Sequence, residues 1–174
     1  TGGWTITKWK QEAPYNKFCP MDKNTNQRSI TGCPSTAMGQ ILNYHRTTNH
    51  TKFLAQDRYF HNYTNQYWVD DDWAEFQFLS FEQLNVYLDS IETKYASGRE
   101  LTSDEKAALS LACGFACKTV YSSAGSGTFG VNQAYDAYVK FGFQGLTFMD
   151  SSFSEVDIRN KLIEKINIGV PVQL

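Results

Sequence analysis

The chain has 174 residues, 41% hydrophobic and 15% aromatic, with a net charge of −2 at neutral pH. That length suits one domain with a sizeable core, and the aromatic content excludes a disordered chain. The near-neutral charge leaves no basic footprint for nucleic acid or an anionic membrane, and no apolar run approaches the roughly 20 residues that span a bilayer.

The sequence opens Thr1-Gly2-Gly3-Trp4, with no initiator methionine and no charged-then-apolar leader, so a trimmed start is expected. Residues 1–31 have little periodicity and many turn formers, and Trp4, Trp9, Tyr15 and Phe18 are expected to pin this extended segment onto the body. Gly32-Cys33-Pro34 then opens a helix predicted over 34–44. Pro34 suits the first helical position, Cys33 would be its N-cap, and Met38, Ile41, Leu42 and His45 follow the three-and-four spacing of a buried stripe. A thiol at that end meets the positive pole of the helix and several unpaired N–H groups, both of which stabilise a sulfur anion. Cys33 is therefore a candidate nucleophile.

From His50 to Trp73 the chain is polar and rich in aromatic residues: Tyr59, Phe60, Tyr63, Tyr67 and Trp68, followed by Asp70-Asp71-Asp72. Short strands and loops are expected there, serving either as packing under a long connection or as a surface that stacks on sugars or peptides. Ser80 begins a helix to about residue 97, with Leu84, Leu88, Ile91 and Tyr95 on one face, Ser80 and Gln83 as a capping box, and Gly98 as its stop. Thr102 or Ser103 caps a second helix to about residue 119, burying Ala108, Leu111, Ala112, Phe115 and Ala116. Cys113 and Cys117 within it read as small core residues. Together with Cys19 and Cys33 they have no paired zinc-type spacing.

Residues 121–128 are the clearest loop, either a flexible connector or a place where small residues admit a backbone or ligand. A helix over 130–141, a strand over 146–149, a helix over 154–166 and a strand beginning at Val170 complete the reading. A cysteine nucleophile works with a histidine that takes its proton. His45 lies along the same helix about 18 Å from Cys33, so packing is its expected role, and nothing in the spacing of His50 or His61 pairs either with Cys33. The residues alone give a primed nucleophile without a base.

The run Trp9-Lys10-Gln11-Glu12-Ala13-Pro14-Tyr15-Asn16, then Cys19-Pro20, Thr31-Gly32-Cys33, Thr36-Ala37-Met38-Gly39-Gln40-Ile41 and Tyr44-His45, resembles the streptopain family of bacterial papain-like cysteine peptidases. The likeness continues more weakly to the end of the chain. Pro34 and Ser35 depart from the Val-Ala common after the family's cysteine. The resemblance implies an α+β, papain-like fold, mainly the helical nucleophile-bearing lobe plus the start of the β-sheet lobe. Residues 1–174 would then be the N-terminal portion of a single peptidase catalytic domain.

By the same resemblance Cys33 is the nucleophile and Gln11 helps hold the oxyanion. Ser122, Ser123, Gly125, Ser126 and Gly127 border the substrate cleft, where backbone groups can pair with an extended peptide. A side-chain amide beside the Cys33 N–H makes a two-donor hole, each donor worth about 3 kcal/mol. The family's histidine sits in a Gly-Gly-His strand with no match here. The expected partners are thus a protein or peptide substrate and a second chain or further segment carrying that histidine and the rest of the sheet. No cofactor and no metal are implied. The expected activity is a secreted or surface bacterial endopeptidase, made as an inactive precursor and inactive from this chain alone. A catalytically inactive binding or adhesion module using residues 59–73, and an amidase or acyltransferase on the same scaffold, are the alternatives.

Overall fold

The computed structural model describes residues 6–173. Trp4, expected as an aromatic pin, and Leu174 lie outside them. Hairpin β1 (Met21–Asp22) and β2 (Gln27–Arg28) leads into α1 (Cys33–His45), and a second antiparallel hairpin follows, β3 (Phe60–Asn62) with β4 (Gln66–Trp68). The rest is helical: α2 (Trp73–Phe76), α3 (Phe81–Ala96), α4 (Ser103–Ala116), α5 (Val131–Lys140) and α6 (Glu155–Asn167).

Three of these helices start where their own side chains cap them. Ser80 accepts from the Gln83 N–H while the Gln83 carboxamide accepts from the Ser80 N–H, a reciprocal pair that fixes the first turn of α3. Thr102 and Glu105 do the same for α4, and Ser154 accepts from the Asp157 N–H for α6. Glu105 has a second task. It accepts from Lys94 Nζ at 2.6 Å and Ser90 Oγ at 2.8 Å, both on α3, so the cap of α4 also ties the two helices together.

Helix α4 is the centre of the molecule and packs against α1, α3 and α5. Every residue from Ala107 to Phe115 is buried, which a helix touched on all sides requires. Phe115 gathers the edges of Phe53, Tyr59, Phe78, Phe81 and Tyr121 around its ring. Beside it Gly114 faces Ser35 of α1 and the hydroxyl end of Tyr121, leaving no room for a side chain. Cys113 and Cys117 sit in this core as free thiols, as does Cys19 beneath the first hairpin. Burial pushes Cys19 and Cys117 up to about 12.

Several expectations need correction. Cys33 is the first residue of α1 and Gly32 its N-cap, one position earlier than expected. Met38, Ile41 and Leu42 are buried, but His45 at the end of the helix is exposed, its ring edge-on to Tyr44 and Phe143. Residues 146–149 and 170–173 form no strand among the described residues, because neither stretch has a neighbouring strand to bond with. The aromatic stretch packs against the core on one face, as the first of its two readings expects. His61 and Tyr67 pack inward, while Phe60 and Trp68 point outward as an exposed, tilted cross-strand pair, 5.4 Å between centroids.

Candidate active site

Cys33 stands at the N-terminal end of the buried helix α1 and is the exposed thiol of the four. Pro34, second in the helix, has no N–H to offer, which leaves Cys33 and Ser35 as the main-chain donors ahead of the first helical bond. The Cys33 N–H has no hydrogen-bond acceptor among the described residues. A pocket of about 360 Å³ opens beside the sulfur, lined by Gln11, Glu12, Trp9, Cys33, Thr36 and Gln40 among others.

The segment carrying Gln11 is laid across α1 and the residues just before it by four contacts. Gln40 Oε1 accepts from the Trp9 N–H at 3.3 Å and from Thr7 Oγ1 at 3.1 Å. The Trp9 ring, stacked on Tyr15 with centroids 5.3 Å apart, rests on Gly39, where a Cβ would lie only 2.9 Å from it. The Gln11 carbonyl accepts from the Thr31 N–H at 3.0 Å, two residues before Cys33. The backbone of Gln11 is thereby fixed, and its carboxamide makes no hydrogen bond among the described residues. Gln11 and Cys33, widely separated in sequence, are thus brought to one pocket.

The loop expected to border the cleft lies next to this pocket rather than inside its lining. Its hydroxyls shape the loop itself. Ser122 Oγ donates to the Gly125 carbonyl at 2.7 Å, Ser126 Oγ donates to the Ser122 carbonyl at 3.1 Å, and Ser123 Oγ donates to Asp22 at 3.0 Å. A bridge between Val120 and Gly127 closes its base. The Ser126 carbonyl presses against Gly32, where a Cβ would sit 2.9 Å from the oxygen and where φ is +85°. Only glycine meets both conditions. The loop therefore leans on the residue that precedes the nucleophile, and its side chains are already occupied.

None of the histidines belongs to the Cys33 pocket. His61 is 1% exposed; its Nδ1–H donates to the Asn65 carbonyl at 2.8 Å and its Nε2 accepts from the Tyr121 N–H at 2.6 Å. Both nitrogens are used, and burial lowers its pKa despite the favourable carbonyl contact. His50 is exposed in the turn after α1. His45 lines a separate, larger and mainly apolar cleft of about 580 Å³ bordered by α5, α6 and the Pro34, Ile41 and His45 side of α1. Desolvation lowers its pKa as well.

Thr31 and Thr36 join the site unannounced. Both are buried and their hydroxyl oxygens are 2.7 Å apart. A threonine four residues after a helix N-cap can bond back to the cap carbonyl, and that spacing was the available signal. No cluster of histidine, cysteine and acidic side chains among the described residues could hold a metal ion, and no helix among them is long and apolar enough to cross a membrane.

The fold is similar to that of the interpain A cysteine protease of Prevotella intermedia, solved as the active wild-type form. The TM-score is 0.61 at 22% sequence identity, over 92% of this chain and 63% of that one. The chain thus spans under two thirds of the length of the structure it matches. No curated protein sequence matches it. The model of the Peptidase C10 family matches residues 9–174, nearly the whole sequence. The chain belongs to the Peptidase C10 family, the streptopain family.

Proposed function

We propose that the protein is a cysteine endopeptidase in which residues 1–174 form the N-terminal portion of a single catalytic domain. One observation carries this: the exposed thiol at the head of a buried helix shares its pocket with an unbonded carboxamide, that of Gln11. The Cys33 thiolate attacks the scissile carbonyl, and the developing oxyanion is received by the Cys33 N–H and the Gln11 side-chain amide. A histidine returns the proton to the leaving amine, and water then cleaves the thioester.

That histidine comes from outside residues 1–174, on a further segment or a second polypeptide, since His45, His50 and His61 all lie away from the pocket. Residues 1–174 alone are accordingly inactive. The substrate is an extended protein or peptide segment running past residues 122–127. The working place is outside the bacterial cell or on its surface.

Peptide turnover by the full-length protein tests this reading. Cys33→Ala should abolish it, and Gln11→Ala should lower kcat by about 100-fold. Retained hydrolysis in Cys33→Ala would overturn the assignment. The outward ring pair Phe60 and Trp68 favours a second reading, a binding module without catalysis, which a wild-type protein devoid of turnover would select.

A further inference from the structure

We infer that Thr36, backed by Thr31, is a positioning residue that holds the Gly32–Cys33 peptide plane so that the Cys33 N–H stays aimed as an oxyanion donor. The inference rests on the peptidase reading and adds to it a residue that lines the same pocket and acts through the Gly32 carbonyl. A peptide unit is rigid, with its carbonyl and N–H on opposite sides when trans. The Gly32–Cys33 bond is trans. Whatever grips the Gly32 carbonyl therefore sets the direction of the Cys33 N–H.

The grip is double. The Gly32 carbonyl accepts from the Thr36 N–H at 3.1 Å, the ordinary helical bond, and also from Thr36 Oγ1 at 2.9 Å. Thr36 has a single hydroxyl proton, and it is committed to Gly32. The 2.7 Å contact between the two hydroxyls must then be donated by Thr31. The relay runs from the Thr31 hydroxyl to Thr36 and on to the Gly32 carbonyl. Its far end reaches the second donor of the proposed hole, since the Thr31 N–H holds the Gln11 carbonyl at 3.0 Å. One buried threonine pair thus references both donors to each other.

The position needs such a grip. Gly32 lies at φ +85° and has no side chain to resist rotation of the peptide, and Pro34 cannot substitute its own N–H if that of Cys33 turns away. A hydroxyl bonding back along a helix from a mid-helical threonine would merely bend it. Here the same bond falls on the peptide whose N–H belongs to Cys33.

Thr36→Val and Thr36→Ser in the full-length protein separate positioning from a merely structural role. Three readouts are taken: kcat and KM on a fluorogenic peptide, inhibition by a peptide aldehyde, and alkylation of Cys33 by iodoacetamide. The aldehyde adds to sulfur and places an oxygen anion in the hole, whereas iodoacetamide loses iodide and forms no oxyanion. Thr36→Val should lower kcat and weaken the aldehyde by about 10- to 100-fold, with KM and the alkylation rate nearly unchanged. Thr36→Ser, which keeps the hydroxyl, should restore both. The double variant Thr31→Val with Thr36→Val leaves no buried hydroxyl unpaired and should show the same loss. Wild-type kcat and aldehyde affinity in Thr36→Val, or an equal fall in alkylation, would overturn the inference alone. A wild-type protein that neither cleaves peptides nor binds the aldehyde would instead overturn the peptidase reading and this inference with it.

Discussion

Asp22 and Ser123 are 101 residues apart in sequence and are joined twice: Asp22 Oδ2 accepts from the Ser123 N–H and from the Ser123 hydroxyl, each at 3.0 Å. The other carboxylate oxygen accepts from the Asn24 N–H and Asn65 Nδ2, both at 3.1 Å. Burial works against the charge of Asp22, but these donors outweigh it and hold its carboxyl below the usual range. One carboxylate thereby anchors the 122–127 loop to the first hairpin.

Asp22→Ala leaves those donors without an acceptor and should reduce unfolding free energy by about 2 kcal/mol in a urea titration. The loop should loosen more than the rest, so amide exchange at residues 122–127 should accelerate and KM for peptides should rise more than kcat falls. Unchanged exchange in that loop would refute the anchoring role.

Glu105 should dominate acid sensitivity of the helical core. Its burial opposes the charge, yet Lys94, Thr102 and Ser90 hold its carboxyl at about 2, below the ordinary 4.5. A lowered folded value means the contribution is complete above pH 4.5 and is lost as the pH falls from there toward about 2. With solvent near the Lys94 end, about 2 kcal/mol is at stake. Glu105→Gln should unfold more easily at neutral pH and show a flatter stability profile through that window.

Gly39→Ala sets two effects against each other. Alanine favours a helix over glycine by about 1 kcal/mol, but its methyl would meet the Trp9 ring at 2.9 Å. Trp9 cannot retreat easily, being 8% exposed and stacked on Tyr15. The clash should win, giving a net loss of about 1 kcal/mol in chemical denaturation. Because Trp9 is two residues from Gln11, kcat should fall as well, while Cys33 alkylation keeps its rate.

His61 has no room for a second proton while Nε2 accepts from Tyr121 and Nδ1–H donates to Asn65. Its folded pKa lies below the ordinary 6.5, chiefly because of burial. Its contribution is thus present above pH 6.5 and lost as the pH drops through the lowered folded value. His61→Phe keeps the stacking on Tyr67 but orphans the Tyr121 N–H, costing about 2 kcal/mol and removing this pH dependence. A kcat unaffected at neutral pH would separate His61 from the catalytic chemistry.

The helices were readable because their signals are local. Ser80 with Gln83, and Thr102 with Glu105, state a helix start within four residues, and the stripe Leu84, Leu88, Ile91, Tyr95 states which face is buried. The strands expected at 146–149 and from Val170 were not readable in the same way, since a strand exists only beside a partner that its own residues do not specify. His61 shows the same limit. In sequence it sits in a polar connection, and only the β3–β4 pairing turns it inward. At the site, the position of Cys33 was legible from Pro34 and the helix behind it. Gln11 needed a family resemblance, because its approach to Cys33 depends on Gln40, Gly39 and Thr31 acting together. Thr36 escaped notice because its methyl and hydroxyl look like any half-polar helix position until the direction of the Gly32 carbonyl is known.

The contact between the Ser126 carbonyl and Gly32 limits how the 122–127 loop can be redesigned. Ordinary surface loops accept insertions and grafts because nothing behind them depends on their path. Here a change of loop length would displace Ser126, and Gly32 would carry that displacement straight to the next residue, Cys33. Safe diversity is confined to the tip: Ala124 and Gly125 are exposed, and a side chain added at Gly125 would meet nothing within 4 Å. A library built on those two positions at fixed loop length would vary the surface beside the Cys33 pocket without moving Gly32.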